Sequence, residues 1–542
     1  MTSRARSRRA ARAAAGVSVA ASPPLDRRVC YLVALLEGVS VMATELLVAK
    51  MLAPLYGDSL YTWSTVLGTT LIALAAGYFA GGVVVDRAPR PEVLLAIVLA
   101  AAGYLLVVPA LLGGLTALWI DRDPIASTIA CAAIGLVPPL FLLGMVPSFL
   151  IRLLAGDAAE SGAVAGRVYA VSSLGGMASA LGIGLIVIPE LGLTRPMLGT
   201  SSVLALPPLA VLLARRRLLA LAYLAVLPLA FWHAVVREAP TSRDIRVREY
   251  SEGLLGQVLV ADQRLPGGGP DDFFRVLYLN RMGQTVIDAR TGEPLSADYI
   301  DHVLPFAATR PPGARVLLLG LGGGSMVKEL VRLGFTVDAV ELDPRIIAAA
   351  SRWFMSGTPA DGVRYVADDA RHVLRTTDDK YDIVVFDVFR GERPPAHVFT
   401  RESLEEVERL LADDGIVLLN LIGRVRGERS AGVRAVLRTL REVGLETLVV
   451  AMPETENVEI VASRRPLDLS RPKNPRFRSR LEHPIETRLT DVTAAELADA
   501  PVLTDDRPLL DVLYLDAAEY VRRQHTREFT KRYLAGHVPL FD

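Results

Sequence analysis

Cysteine and histidine are scarce in this chain. Only two cysteines, Cys30 and Cys131, occur among 542 residues, and both stand in apolar stretches. Two thiols cannot build a disulfide framework, and these two lack the short spacing of a zinc site. The seven histidines are scattered, with no His-x-x-x-His pair, so a resident metal is not expected. An excess of one charge is missing too: Lys plus Arg and Asp plus Glu both number 59. That balance gives no ground for a nucleic-acid partner. A signal peptide with a small-residue cleavage site is not evident.

Apolar residues are abundant instead. They make up 51% of the chain, and the excess lies almost entirely before about residue 236. A helix needs about 20 mostly apolar residues to span a bilayer. Seven segments qualify, at roughly 29–49, 64–85, 92–118, 125–151, 168–188, 196–214 and 218–236. They predict a basic tail over 1–28 and a multi-pass α-helical transmembrane domain over 29–236, in contact with the lipid bilayer of the cell membrane. Arginines gather in the tail, at Arg87 and Arg90, at Arg152 and Arg167, and at Arg215, Arg216 and Arg217. These are alternate loops, so the positive-inside rule sets the N-terminus in the cytoplasm.

An odd count would then leave the C-terminal half outside, away from a cytosolic cofactor. We give the cofactor more weight and expect that half in the cytoplasm. One span is then miscounted, or 125–151, interrupted by Pro138 and Pro139, is re-entrant. Glu37 and Glu45 lie in the first span. Acids there line a substrate or proton path, or bond structurally to neighbouring helices.

After residue 245 the pattern changes. Short β-rich runs predict a small antiparallel subdomain within 237–310. From 311 to 515 strands and helices alternate, which predicts a mainly parallel, Rossmann-like α/β sheet with helices on both faces. Residues 516–542 read as a C-terminal tail. Ligands in such sheets bind beyond the carboxyl ends of the strands, and polar signals cluster there. "VLLLGLGGGS" carries Gly320, Gly322 and Gly324, which allow a tight turn and close backbone approach to a ligand. Glu341 closes the second strand, where an acid can hold ribose hydroxyls. Asp368 and Asp369 follow the third strand and Asp387 the fourth. Any one of these acids alone reads more simply as a loop charge or a helix cap; four signals at four successive strand ends point to a ligand. The loop by itself fits NAD, FAD or an S-adenosyl compound. A dinucleotide enzyme would need a second substrate module, and none is evident.

With these motifs in order, the chain resembles the spermidine synthase (polyamine aminopropyltransferase) family, in particular members fused to an N-terminal transporter-like helix bundle. "LYLNRMGQTVIDA", "ADYIDHVLP", "VLLLGLGGG", "VELDP", "ADDA", "YDIVVFD" and "LTDDRP" carry the resemblance. It implies a class I S-adenosylmethionine-dependent transferase fold without a metal, and decarboxylated S-adenosylmethionine or S-adenosylmethionine as co-substrate. It also implies a small-molecule amine or other acceptor, and a homodimer through the soluble half is a further expectation. By the resemblance Gln284 contacts substrate beside the cofactor site, Glu341 holds ribose, Asp368 adenine and Pro394 the adenine face. Tyr299 and Asp301 lie on the substrate helix, and Asp387 is the proton acceptor.

The chain also departs from the family pattern. Gly323 stands where an Asp is usual, Arg390 where a second acid follows the proton acceptor, and Gly256, beside Gln257, where an early strand carries a Gln. The cofactor site is kept and the polyamine site is eroded. Two other readings stay open: an S-adenosylmethionine-dependent methyltransferase with an undetermined acceptor, and a membrane carrier whose soluble half senses nucleotide.

Overall fold

The structure is a computed structural model. It describes residues 25–56, 60–119, 124–157, 159–215, 221–228, 244–265, 267–269, 271–295, 298–355, 362–389, 391–452, 456–467, 473–481 and 485–534. Among these residues six helices are long and apolar enough to cross a membrane. They are α1 (Arg27–Tyr56), α2 (Leu60–Arg87), α3 (Pro91–Trp119), α4 (Pro124–Leu154), α5 (Ser161–Gly182) and α6 (Thr194–Ala214). A π-turn at Ile183–Val187 carries α5 on to Leu191. Six are thus described where seven were expected. Most of the seventh segment, 218–236, lies outside the described residues, of which 221–228 are helical. The re-entrant alternative also fails, because α4 runs unbroken for 31 residues through Pro138, Pro139 and Pro147.

Glycines let the helices approach closely. A Cβ on Gly38 would lie 1.9 Å from the Ser172 carbonyl oxygen, and one on Gly77 would lie 2.3 Å from that of Phe141. Dispersion gained across such small-residue contacts is what holds apolar helices together in lipid. Glu37 is buried and its Oε2 accepts from Ser172 Oγ at 2.6 Å, the geometry of the structural alternative for this acid. Glu45 is buried as well.

The second half begins with a four-stranded antiparallel sheet in the order β1-β2-β3-β4: Ile245–Gly253, Gly256–Arg264, Phe273–Leu279 and Met282–Asp288. Helix α7 (Asp298–Ala307) leads into a seven-stranded sheet. Its strands are β5 (Arg315–Leu319), β6 (Thr336–Glu341), β7 (Val363–Ala367), β8 (Tyr381–Phe386), β9 (Leu411–Ile422), β10 (Glu446–Met452) and β11 (Asn457–Ser463). The order is β10-β11-β9-β8-β5-β6-β7, parallel from β7 to β9 and antiparallel at β11 and β10. The connecting helices are α8 (Ser325–Arg332), α9 (Pro344–Ala349), α10 (Ala370–Thr376), α11 (Arg401–Leu410) and α12 (Ala431–Glu442). Leu404, Val407, Leu437 and Leu440 pack on one face of the sheet and Phe306, Val327 and Leu330 on the other. Burial of each such side chain contributes about 1.5–3 kcal/mol. The segment expected as a tail contains α13 (Leu515–Leu534).

The two halves meet at one end of the bundle. Lys50 Nζ donates to the Leu254 carbonyl at 3.2 Å, and the Leu193 N–H donates to Glu252 Oε2 at 3.1 Å. Arg215 and Glu92 pair at 2.6 Å at the opposite end, which by helix alternation also carries Arg87, Arg90, Arg152 and Arg167. The soluble half therefore sits at the end away from the arginines. For this arrangement the positive-inside rule and the cytosolic cofactor make opposite demands on the placement of that half. With the arginine-rich end inside, reporter fusions after Arg90 and Arg215 should read cytoplasmic and one after Arg248 should read the other face. A cytoplasmic signal at Arg248 would mean that the arginines do not orient this bundle.

Candidate active site

The carboxyl ends of β5, β6 and β8 converge on a cavity of about 550 Å³, within the usual range for small-molecule sites. The turn after β5 is glycine because the backbone requires it. Gly320 has φ +91° and its Cβ would lie 2.1 Å from the Asp387 carbonyl oxygen, while Gly324, at φ +84°, would meet Met355 Sδ at 2.2 Å. Gly320 and Gly322 line the cavity; Gly324 sits behind the turn as the N-cap of α8. Gly323 has its own reason. Its N–H donates to Thr285 Oγ1 at 2.9 Å, and a Cβ there would lie 2.6 Å from Thr285 Cγ2. The place of the usual Asp is filled by a threonine from β4.

Asp387 follows β8 and lines the cavity. Its Oδ2 accepts from Tyr299 OH and its Oδ1 from Asn420 Nδ2, both at 2.9 Å. Asn420 Oδ1 in turn accepts from Asn457 Nδ2 at 2.8 Å. Burial pushes the Asp387 carboxyl above the usual carboxylate range, against the two hydrogen bonds that lower it. Tyr299 is raised well above its ordinary range by burial and then by the Asp387 charge. A carboxylate held by two donors and facing a cavity can attract a cation and take its proton.

Glu341, at the end of β6, also faces the cavity. Its Oε2 accepts from the Leu321 N–H at 3.2 Å and its Oε1 from the Asp343 N–H at 3.0 Å. Burial raises this carboxyl too. Asp368 bonds to His372 Nδ1 at 2.7 Å and is lowered mainly by that contact. Asp369 caps α10 through the Arg371 and His372 N–H groups and lies 3.1 Å from His397 Nε2. Both Asp368 and Asp369 line the cavity, as do Gln284 and Tyr299.

Pro394 lines a second cavity of about 590 Å³, which shares Glu341 and Pro395 with the first and reaches Lys50 of α1. Asp301 is not brought in; its Oδ1 accepts from Arg480 Nε at 2.8 Å. Arg390 lies outside the described residues. Gly256 has φ +106°, and a Cβ there would lie 2.1 Å from Asn280 Oδ1. Gln257 Nε2 donates to Glu252 Oε1 at 2.5 Å, within the hairpin.

Several site residues carry no mark in the sequence. Val521 and His525 of α13 line the first cavity and Arg522 the second, and burial lowers the His525 imidazole. A polar C-terminal helix holds no motif that would point to them. Asn420 and Asn457 left a weak signal, polar residues in otherwise apolar strands.

Residues 295–461 match the family model described as the spermine/spermidine synthase domain. The polyamine aminopropyltransferase of Vibrio vulnificus is 33% identical over 158 residues, covering 28% of this chain and 52% of that protein. The human eEF1A lysine and N-terminal methyltransferase is 33% identical over 149 residues, covering 23% of this chain and 20% of its own length. Among solved structures, the spermidine synthase of Thermotoga maritima aligns at 17% identity and a TM-score of 0.32, covering 41% of this chain and 73% of that one. The chain spans about half the length of the curated aminopropyltransferases it matches. Its C-terminal half carries a spermidine synthase domain.

Replacing Glu341 with alanine should weaken nucleoside binding by roughly 1.5–3 kcal/mol, as for hydrogen bonds to a charged group. Calorimetric titration with methylthioadenosine checks this; unchanged affinity would remove Glu341 from the site.

Proposed function

We propose that this protein is a bilayer-anchored, multi-pass transferase that moves an aminopropyl group from decarboxylated S-adenosylmethionine to an amine acceptor. The observation that carries the reading is Asp387, an acid with two donors on its oxygens, facing a cavity whose rim also holds Gly320, Gly322 and Glu341. The family match supports the reaction class.

The donor fits the residues present. Glu341 offers a carboxyl to the ribose hydroxyls and Asp368 an acceptor toward the adenine amine, while Pro394 lines the adjoining cavity and Pro395 the wall the two share. The acceptor arrives as an ammonium with a pKa near 10.4, as for lysine, and cannot attack while protonated. Asp387 draws the ammonium in and takes its proton. The freed nitrogen lone pair attacks the carbon beside the sulfonium, and the C–S bond breaks with its electron pair going to sulfur. Sulfur thereby becomes neutral, and methylthioadenosine is released. Tyr299 and Asn420 hold the Asp387 carboxyl in place through the step.

Methyl transfer is the second reading, and a specific observation favours it: some matched relatives are methyltransferases named for lysine and N-terminal substrates. Both classes are named for acting on amines, so the same Asp387 serves either. The carrier reading rests on Glu37 and Glu45 alone, and the Glu37–Ser172 bond already gives one of them a structural partner.

The purified full-length protein should turn over decarboxylated S-adenosylmethionine with an amine and release methylthioadenosine, detected chromatographically. Turnover with S-adenosylmethionine in place of the decarboxylated donor, an amine acceptor being present, would select the methyl reading. Asp387→Asn should abolish either reaction, because an amide cannot take the proton. Because the base form is needed and burial raises this carboxyl, kcat/KM should fall as pH drops through a midpoint above the ordinary aspartate value of about 3.9. A midpoint at or below that value would argue against Asp387 as the base.

A further inference from the structure

Glu459 has no role in the transfer chemistry, yet it occupies an expensive position. It stands on β11 two residues beyond Asn457 and directly across the ladder from Asn420. Residues two apart, and residues opposed across an antiparallel pair, share one face of a sheet. That is the face on which Asn457 and Asn420 line the cavity and link to Asp387. The Glu459 side chain is 1% exposed, and neither of its carboxyl oxygens has a hydrogen-bond partner among the described residues. Its strand neighbours Val458, Ile460 and Val461 are buried aliphatics. A carboxyl in such company is costly unless something else requires it.

The titratable groups on the surrounding elements are few. Asp387 follows β8, Tyr299 and His302 are on α7, and β9 and β10 oppose Glu459 with the neutral Asn420 and Val450. Burial, then the Asp387 charge, pushes the Glu459 carboxyl well above the carboxylate range. Two interacting carboxyls with no cation between them keep one proton. A cation entering beside Asp387 removes the reason for keeping it.

We propose that Glu459, on the sheet face shared with Asn457 and Asn420, is a specificity-determining residue that acts through its charge on Asp387 and gives up its proton when an acceptor bearing two ammonium groups fills the cavity. The Asp387–Glu459 pair then carries one negative charge when the site is empty and two when it is filled, matched to a dication. Glu459 thereby supplies, from a different strand, the second acid that the loop after Asp387 lacks. This inference rests on the amine-acceptor reading.

The test is calorimetric titration of the full-length protein, loaded with methylthioadenosine, with a linear diamine (putrescine) and the monoamine of the same length (n-butylamine). Each titration is run in buffers of different ionisation heat. Wild-type protein should release about one proton per diamine and bind it roughly ten to a hundred times tighter than the monoamine, the range of one added charge pair in a partly screened site. In Glu459→Gln the proton release should vanish and the preference should collapse, with methylthioadenosine binding kept. A preference retained in Glu459→Gln, a wild-type diamine complex without proton release, or a variant that loses methylthioadenosine binding would each overturn the proposal. If wild-type protein binds neither amine, the amine-acceptor reading itself falls and takes this inference with it.

Discussion

The site depends on how closely two parallel strands end beside each other. The Asp387 N–H donates to the Leu319 carbonyl at 2.8 Å, which continues the β5–β8 ladder one residue past its regular end. The next residue of β5's turn, Gly320, then passes so near the Asp387 carbonyl that no side chain fits. This backbone contact fixes the height at which the Asp387 carboxyl leaves the sheet. From that height it meets Tyr299 on one side and Asn420 on the other. The ribose-side acid, Glu341, is tied to the same turn through the Leu321 N–H. One steric constraint thus spaces the acceptor end of the cavity from the nucleoside end.

Much of this is legible in the sequence because it is local. Glycines with obligatory left-handed backbone, acids at the ends of apolar runs and alternation of strands with helices all leave a mark within a few residues. Asp387 and Glu341 can be placed this way. Residues that reach the site through tertiary packing cannot. α13 arrives from more than a hundred residues downstream of Asp387, and its His525 is an ordinary polar position in an ordinary polar helix. Asp301 shows the reverse failure: it sits in a suggestive motif, but the helix turns it toward Arg480.

The departures from the family pattern differ in physical standing. Gly323 is explained by packing, because Thr285 occupies the space where a side chain would be. Gly256 likewise answers to Asn280. Neither change says anything about the acceptor. Glu459 bears on it under the proposal above, because a buried acid with no hydrogen-bond partner among the described residues is costly. An eroded polyamine site, read residue by residue along the sequence, and a rebuilt one, read across strands, differ only in where the second acid is sought.

The joint between the halves sets a boundary condition of another kind. Lys50 and Ala53 of α1 help line the second cavity, together with Leu254 and Leu255 of the β1–β2 hairpin, and both leucines are exposed. The mouth is therefore held at a fixed height above one end of the bundle. For any reactant retained at a bilayer surface, encounter with that mouth is a search in two dimensions, and its rate follows surface density. Bulk concentration would then be the wrong variable. Adding inert lipid would slow such a reaction by dilution, even with every solute in the water unchanged.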